Sequence, residues 1–558
     1  MCGFIISNKK IELKKNSNLL KHRGPDDIGI LESNNIKFIF NRLKIVDLKK
    51  RSNQPIRYKN LVMVFNGEIY NYLSLKEKIK KSGLSFETSS DTEVLLKCFY
   101  LYGKKTLKMI QGMFVFAVYN EKNKKLFVAR DHFGIKPLFY HYDKNKYLIS
   151  SEKHVFFKNN ISKELDLRSI SSYLQYGDYQ FSGDTFFKNI KSLLPGHYME
   201  IKDKKIKIRK WHKINSMKNL GTFKAAKSKL KKILVDTLSL NLSGDKKIAL
   251  SCSGGVDSSI LAELSKKLND KNLKYILHYT CNDENDETKF AKKLNKDLKY
   301  RFYKSIFNKK DFYKYLIKSL MIVQEPIGGL NNLNALKAYE FLKKKKIRVL
   351  IDGNGSDEIL GGYQHYIDSF NNKKKFSSPP IQGLQVAFPK KIFQKEFLRY
   401  KKKLNLNSNP RNLMMRDLLG RKVRSQLLQG DHLSMRNSIE VRFPFLDYKL
   451  VNYCMGLPYN YLFKDKIGKY ILRQLLKNKE INTPKRSLQT PQNKWMREFI
   501  SKDLSKLISN KKSEIYKYKI FKRENLIKFF NQKELGDNSI LEWRLLIIFF
   551  FFKLLPSF

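Results

Sequence analysis

The chain has 558 residues, 42% of them hydrophobic and 29% charged, which is ordinary for a globular protein of two or three domains with full cores. Its formal net charge is +60, but the lysines are scattered along the whole chain, with short runs such as Lys343–Lys346 and Lys401–Lys403. The charge is therefore read as lysine-rich solvated faces and not as a nucleic-acid or membrane site. Five cysteines without a CxxC pair or metal-ligand spacing argue against a disulfide scaffold and suit a reducing, cytoplasmic setting.

In chain order, residues 1–205 carry short alternating or apolar runs: Ile36–Phe40, Leu61–Phe65, Gly112–Tyr119, Lys125–Arg130 and Tyr147–Ser151. Turn signals such as Asn66-Gly67 separate them, so a β-rich α+β domain is expected. Residues 206–221 lie in a lysine-heavy polar stretch that reads as a linker. From 222 to 558 the period changes to α/β alternation. A helix over Lys227–Leu240 precedes a strand at Lys247–Leu250, a glycine loop and a helix over Ser258–Leu268. A strand at Tyr275–Thr280, a helix at Glu287–Leu294 and a strand near Arg348–Ile351 follow. After Tyr366 the chain reads as mostly helical, with a mobile polar loop around Asn371–Gln382. The N-terminus turns polar by Asn8, against a signal peptide. The apolar run Leu545–Leu555, bordered by Arg544 and Lys553, is too short to span a bilayer and is expected as a buried helix.

Two constellations carry chemistry. The first is ALSCSGGVDSSILAEL, Ala249–Leu264. An apolar strand feeds Ser253-Gly254-Gly255, and a helix follows at once. Glycines let backbone approach phosphate, and the new helix offers free N–H groups and the positive end of its dipole. Asp257 cannot itself bind phosphate; a cation between the two, Mg²⁺ by its chemistry, resolves the conflict. The Walker pattern GxxxxGK[ST] is absent. SGGVDSS resembles the signature of the PP-loop ATP pyrophosphatases, which cleave ATP between its α and β phosphates and adenylate a substrate. That resemblance implies Asp357, in the acidic glycine loop DGNGSDEILGG that starts at Asp352, as a second magnesium carboxylate on a neighbouring strand end.

The second constellation begins at Met1-Cys2-Gly3-Phe4. Methionine before a small residue is normally removed, which leaves Cys2 with a free α-amine. One residue then supplies nucleophile and base. HRGPDD (22–27), NRLKIVDL (41–48), FNGEIYN (65–71), SSDTEVLL (89–96), GMFVFAVYN (112–120) and ARDHFGIKPLFY (129–140) follow in order. Together they resemble the class II, N-terminal-nucleophile (Ntn) glutamine amidotransferases. The resemblance implies Cys2 as nucleophile, with the Asn66 side chain and Gly67 N–H as oxyanion hole. It also implies Arg42, Glu68 and Asp91 around the glutamine carboxylate and ammonium. His22 reads equally as a structural histidine.

An amidotransferase followed by a PP-loop domain resembles the glutamine-hydrolysing (class B) asparagine synthetase family. LLQGDHLSMRNSIEVRFPFLDYKLV (427–451), GKYILRQ (468–474) and TPQNKWM (490–496) are further blocks of that resemblance. It implies a four-layer α/β/β/α Ntn-type domain followed by an α/β PP-loop domain with a largely helical C-terminal part. It further implies ATP and Mg²⁺ as cofactors. ATP contacts are implied at Ser251, Ser253, Gly254, Gly255, Asp257, Ser258, Cys281, Asp352 and Gly353, metal at Asp257 and Asp357, and a charge-neutralising cation at Lys469. The implied partners are glutamine, ATP and aspartate or another carboxylate, with no nucleic acid or membrane; a homodimer is compatible. The expected reaction is glutamine-dependent amidation of a carboxylate through an acyl-adenylate, with ammonia kept out of bulk water.

Asn354 departs from the pattern, because an acid often holds its position in the family and asparagine cannot accept a proton. Glu358 is the nearby candidate for that task, or else the acceptor is not aspartate. A PP-loop RNA-modifying enzyme would not need Cys2 and its companion motifs. A non-catalytic relative kept for storage or interaction would not need Cys2, Asp257, Asp357 and Lys469 all in place.

Overall fold

The computed structural model describes residues 2–558 apart from 181, 217–220, 282, 284–285, 372–408, 421, 477–489 and 532–538. The expected mobile loop over Asn371–Gln382 falls outside the described residues beyond Asn371.

The N-terminal half is built on β1 (Gly3–Ser7), β2 (Asp27–Ser33), β3 (Ile36–Arg42), β4 (Ile56–Tyr58), β5 (Leu61–Ile69) and β6 (Gly112–Asn120). It continues with β7 (Lys125–Arg130), β8 (Phe139–Asp143), β9 (Lys146–Ser150), β10 (Lys191–Ser192), β11 (His197–Lys202) and β12 (Lys205–Lys210). They form two antiparallel sheets, ordered β10-β8-β9-β1-β3-β2 and β12-β11-β7-β6-β5-β4. Because side chains alternate along a strand, each sheet has two faces to bury. Phe4 and Ile6 on β1 and Phe38 and Phe40 on β3 meet Val62, Val64, Val115 and Ala117 of the second sheet. On that sheet's other face, Met63, Phe65, Phe114 and Phe116 pack on the helices Tyr72–Lys80 and Asp91–Tyr102. On the first sheet's outer face, Ile5 and Ile39 join one core with Val155 and Phe156 of the helix His154–Lys158. The result is the expected helix–sheet–sheet–helix layering.

Two details differ from the sequence reading. Asn66-Gly67 is not a turn: both lie inside β5, opposite Val115 and Phe114. Gly67 has φ +154°, and a Cβ there would stand 2.1 Å from the Met113 carbonyl oxygen, so glycine serves close strand approach and not reversal. The sheet also crosses the boundary expected at 205, since β12 pairs with β11 from Lys205 to Lys210.

The second half centres on β13 (Ile248–Ser251), β14 (Leu273–Thr280), β15 (Arg301–Ile306), β16 (Val349–Ile351) and β17 (Glu440–Arg442). All pairs are parallel, in the order β15-β14-β13-β16-β17. The chain leaves β13 toward β14 on one side and reaches β16 on the other. The carboxyl ends of β13 and β16 therefore flank the crevice where such sheets bind ligands. β15 and β17 are strands that local sequence pattern does not reveal. The helix Ser539–Leu554 confirms the expected buried C-terminal helix: Leu545 through Phe552 are all buried. Phe551 meets Phe186 of the first half edge-on at 5.2 Å. Among the described residues, no helix is long and apolar enough to cross a membrane.

The halves are joined by buried charge as well as by apolar contact. Arg23 Nη2 donates to Asp431 Oδ2 at 2.7 Å, Lys153 Nζ to Glu325 Oε2 at 3.3 Å and Gln111 Nε2 to Asp447 Oδ2 at 2.6 Å. Arg348 Nη2 reaches Asp26 Oδ1 at 2.9 Å.

Phe40 is fully buried between the two sheets. Phe40→Ala is expected to cost about 3–5 kcal/mol, read as an earlier denaturant transition of the N-terminal half. A loss below about 1 kcal/mol would contradict the packing described.

Candidate active sites

The first site gathers where the two N-terminal sheets meet. Cys2 immediately precedes β1 and is buried; its N–H donates to Asn66 Oδ1 on β5 at 3.0 Å. Leu43 N–H reaches Cys2 Sγ at 3.4 Å. Burial pushes the thiol above its ordinary range, against the pull of the N-terminal charge, the Leu43 amide and Arg42. Asn66 Nδ2 is buried and has no hydrogen-bond partner among the described residues. A buried amide donor left open beside a thiol is the group an oxyanion hole requires.

Arg42, at the end of β3, is buried and gripped by the loop that follows it. Its Nη1 donates to Lys49 O at 2.8 Å and to Asn53 Oδ1 at 2.6 Å, and its Nη2 to the Asp47 carbonyl. Glu68 and Asp91 are both buried, and Asp91 Oδ2 accepts from Ile69 N–H at 3.0 Å. Burial, then the neighbouring Glu440 and Asp91, hold the Glu68 carboxyl well above the usual range. Burial, with Glu440 adding to it, pushes Asp91 up to about 6. Two acids kept from comfortable ionisation make a site that gains by receiving a cation. His22 stands in a structural role: its Nε2 lies 2.9 Å from Glu152 Oε1.

The second half contributes to this first site, a feature absent from the sequence reading. Arg442, fully buried on β17, donates from Nε to Glu440 Oε1 at 2.5 Å. Its Nη2 lies 3.9 Å from Glu68 Oε2. The Arg442 carbonyl meanwhile accepts the N–H of Asp352 at 2.9 Å, in the loop of the second site. One residue thus touches both sites.

The second site lies at the carboxyl ends of β13 and β16. Ser253 Oγ accepts from Gly255 N–H at 3.2 Å, and Ser258 Oγ donates back to Gly255 O at 3.2 Å, closing the loop on itself. Gly254 has φ +85°, and a Cβ there would stand 2.7 Å from Phe290 Cβ. The helix Val256–Leu268 begins with no side-chain cap, so its first amides face the crevice uncapped. Gly353 passes so close that a Cβ on it would lie 3.3 Å from Asp257 Cβ. Asp352 Oδ1 accepts from Asn354 N–H at 2.9 Å, and Asn354 itself is exposed. Ser251 ends β13, whereas Cys281, just after β14, receives Asn334 Nδ2 at 3.8 Å.

Asp257 and Asp357 converge on one buried ammonium. Lys469 Nζ lies 2.7 Å and 2.6 Å from the two Asp257 oxygens and 2.7 Å from Asp357 Oδ1. Burial works against its charge, but Asp257 and Asp357 hold it above the ordinary lysine range. Ser356 Oγ adds a hydrogen bond to Asp257 Oδ1 at 2.6 Å. Two hard oxygen donors focused on one point fit Mg²⁺, which takes one or two carboxylates and completes its shell with water and phosphate. Among the described residues, no cluster of three or more His, Cys, Asp or Glu forms a self-sufficient metal cage. Beside them, burial and then Asp357 push the Glu358 carboxyl up to about 7, and the Tyr363 hydroxyl donates to it at 2.8 Å.

Gly362 also belongs to this site, although no motif singles it out. A Cβ there would stand 1.8 Å from Asp357 Oδ1 and 2.3 Å from Lys469 Cε. The Gly361-Gly362 pair just after the acidic turn was the available signal. Gly362→Ala is expected to push Asp357 and Lys469 apart and to lower the melting point, because it strains a buried ion pair. A variant that melts with the wild type would contradict the tight placement.

The glutamine amidotransferase domain profile matches residues 1–212, and the asparagine synthase profile matches residues 229–551. Asparagine synthetase [glutamine-hydrolyzing] 3 of Bacillus subtilis (strain 168) is 27% identical over 520 residues, covering 85% of this chain and 84% of that protein. Asparagine synthetase [glutamine-hydrolyzing] 1 of the same organism is 25% identical over 613 residues, covering 98% and 96%. Putative asparagine synthetase [glutamine-hydrolyzing] 2 of Methanocaldococcus jannaschii is 29% identical over 390 residues, covering 65% and 74%. With more than half of its length inside one family profile, the chain belongs to the asparagine synthase family.

Proposed function

We propose that the chain converts L-aspartate, L-glutamine, ATP and water to L-asparagine, L-glutamate, AMP and PPi. The observation that carries this reading is the pairing of two built sites through Arg442. One holds a buried thiol beside an open amide donor; the other holds two carboxylates focused on a cation. The names of the relatives above support aspartate as the acceptor.

In the first site, Cys2 Sγ attacks the glutamine carboxamide and passes its proton to the α-amine freed by loss of Met1. Asn66 Nδ2 and Gly67 N–H receive the oxyanion, while Arg42 binds the α-carboxylate and Glu68 and Asp91 the α-ammonium. Collapse expels ammonia with the proton held by the amine, and water then releases glutamate from the thioester. In the second site, the Ser253–Ser258 loop and the uncapped helix start cradle the phosphates, with Ser251, Cys281, Asp352 and Gly353 lining the nucleotide. Asp257 and Asp357 would hold Mg²⁺, which supplies charge neutralisation for the leaving pyrophosphate. Lys469 neutralises charge on the α-phosphoryl oxygens as the aspartate β-carboxylate attacks and PPi leaves. Ammonia then attacks the acyl-adenylate carbonyl, Glu358 takes the surplus proton, and AMP leaves. A carboxyl titrating near 7 suits that proton transfer.

Asn354 favours a second reading with the same chemistry on another carboxylate. The deciding experiment is glutamine- and ATP-dependent PPi release across a panel of carboxylic acids. Aspartate is expected to give the strongest response; silence with aspartate and turnover with another acid would overturn the lead reading. Cys2→Ala is expected to abolish glutamine-dependent synthesis and leave ammonia-dependent synthesis within about twofold, since the sites are separate. Equal loss of both would contradict separate sites.

The acids around the glutamine ammonium must be ionised to bind it, and their folded values are raised, Asp91 to about 6. Asp91 therefore holds the ammonium strongly above that value and loses its hold as it takes up a proton below it. KM for glutamine is expected to rise about tenfold between pH 7.5 and pH 5. A flat profile would remove Asp91 from this role.

A further inference from the structure

Cys2 stands at the head of its strand, so its orientation depends on the groups that grip its own atoms. Asn66 holds its nitrogen and Leu43 its sulfur, as described above. Arg23 Nε holds its carbonyl oxygen at 3.1 Å. Arg23 is fully buried, and its other two nitrogens are each taken by an anion: Nη1 by Glu152 Oε1 at 3.0 Å and Nη2 by Asp431 Oδ2 at 2.7 Å. Glu152 belongs to the same half as Cys2 and is itself fixed by His22 and by His154 Nδ1 at 3.2 Å. Asp431 does not: it sits on the helix Lys422–Met435 of the second half, and Lys136 Nζ holds its other oxygen at 3.4 Å.

A guanidinium is a rigid planar fork, so two edges pinned by anions set the direction of the third. Without a charge at the Asp431 corner, the fork is free to turn toward Glu152 and to carry Nε off the Cys2 carbonyl.

We propose that Asp431 is a positioning residue for glutamine hydrolysis: through Arg23 it sets Cys2 for attack across the boundary between the halves. The nucleophile is then aligned only while the half that consumes ammonia is docked against it. This rests on the reading of Cys2 as the nucleophile.

The test uses the full-length enzyme with Asp431→Asn, which preserves shape and removes charge. Its kcat for glutamine hydrolysis is expected to fall at least tenfold with KM for glutamine within twofold. Alkylation of Cys2 by a diazoketone analogue of glutamine, followed by mass spectrometry, is expected to slow by a similar factor. Ammonia-dependent PPi release should stay within threefold of wild type. Asp431→Glu, which restores the charge, should recover part of the lost rate. Unchanged glutaminase and alkylation rates in Asp431→Asn would overturn the proposal. So would an equal loss of ammonia-dependent PPi release, or an Asp431→Glu variant as slow as Asp431→Asn. If Asp431→Asn is not recovered folded, Arg23→Lys takes its place, because an ammonium cannot span all three contacts. Slowed glutaminase and alkylation in that variant, with ammonia-dependent PPi release kept, would support the proposal; unchanged rates would overturn it. A wild-type enzyme that neither hydrolyses glutamine nor is alkylated at Cys2 would instead defeat the reading of Cys2, separating that failure from this one.

Discussion

Buried charge at the junction of the two halves is the constraint on which the rest of the molecule depends. Arg23, Lys136 and Lys153 come from the first half, and Asp431 and Glu325 from the second; all five are buried. Leaving any of them buried without a partner is costly, because desolvating a lone ion costs several kcal/mol. Removing one member of such a pair typically costs about 3–5 kcal/mol. Apolar surfaces can slide past one another, whereas a buried ion pair has one good geometry. The junction therefore sets the orientation of the halves as well as their attachment.

That orientation places chemistry from one half in the service of the other. Arg442 stands 3.9 Å from Glu68 while its backbone carries the loop at Asp352. The helix that ends near Asp431 begins at Lys422, whose ammonium lies 3.5 Å from the centre of the Tyr363 ring. Tyr363 in turn holds Glu358. Helix and strand are stiff, so the two sites share one frame over their whole separation.

Much of this was legible in the sequence where local rules decide. Strand alternation marked β3, β5, β6, β7 and β9, and the strand–glycine–helix order at Ala249–Leu264 marked the loop that opens the second site. Local rules failed where a partner far along the chain decides. Asn66-Gly67 reads as a turn by composition, yet pairing with β6 draws it into a strand. β17 has three residues, too few to show a period, and is a strand because β16 pairs with it. Asp431 and Arg23 are 408 residues apart, and Arg442 looks like one more cation in a basic chain until Glu440 and Glu68 surround it. The contacts of Lys469 with both carboxylates emerge only when Asp257 and Asp357 are brought face to face.

That ammonium has a consequence for the order in which ligands arrive. With Lys469 between them, Asp257 and Asp357 are already neutralised in part and do not repel each other. A divalent ion approaching alone must compete with an intramolecular cation that pays no entropy to be there. In the proposed reaction polyphosphate would change the balance, because its oxygens would give the lysine a new partner and the metal additional ligands. On that reading the pocket would act as a lock set against bare metal and open to metal that comes with its nucleotide.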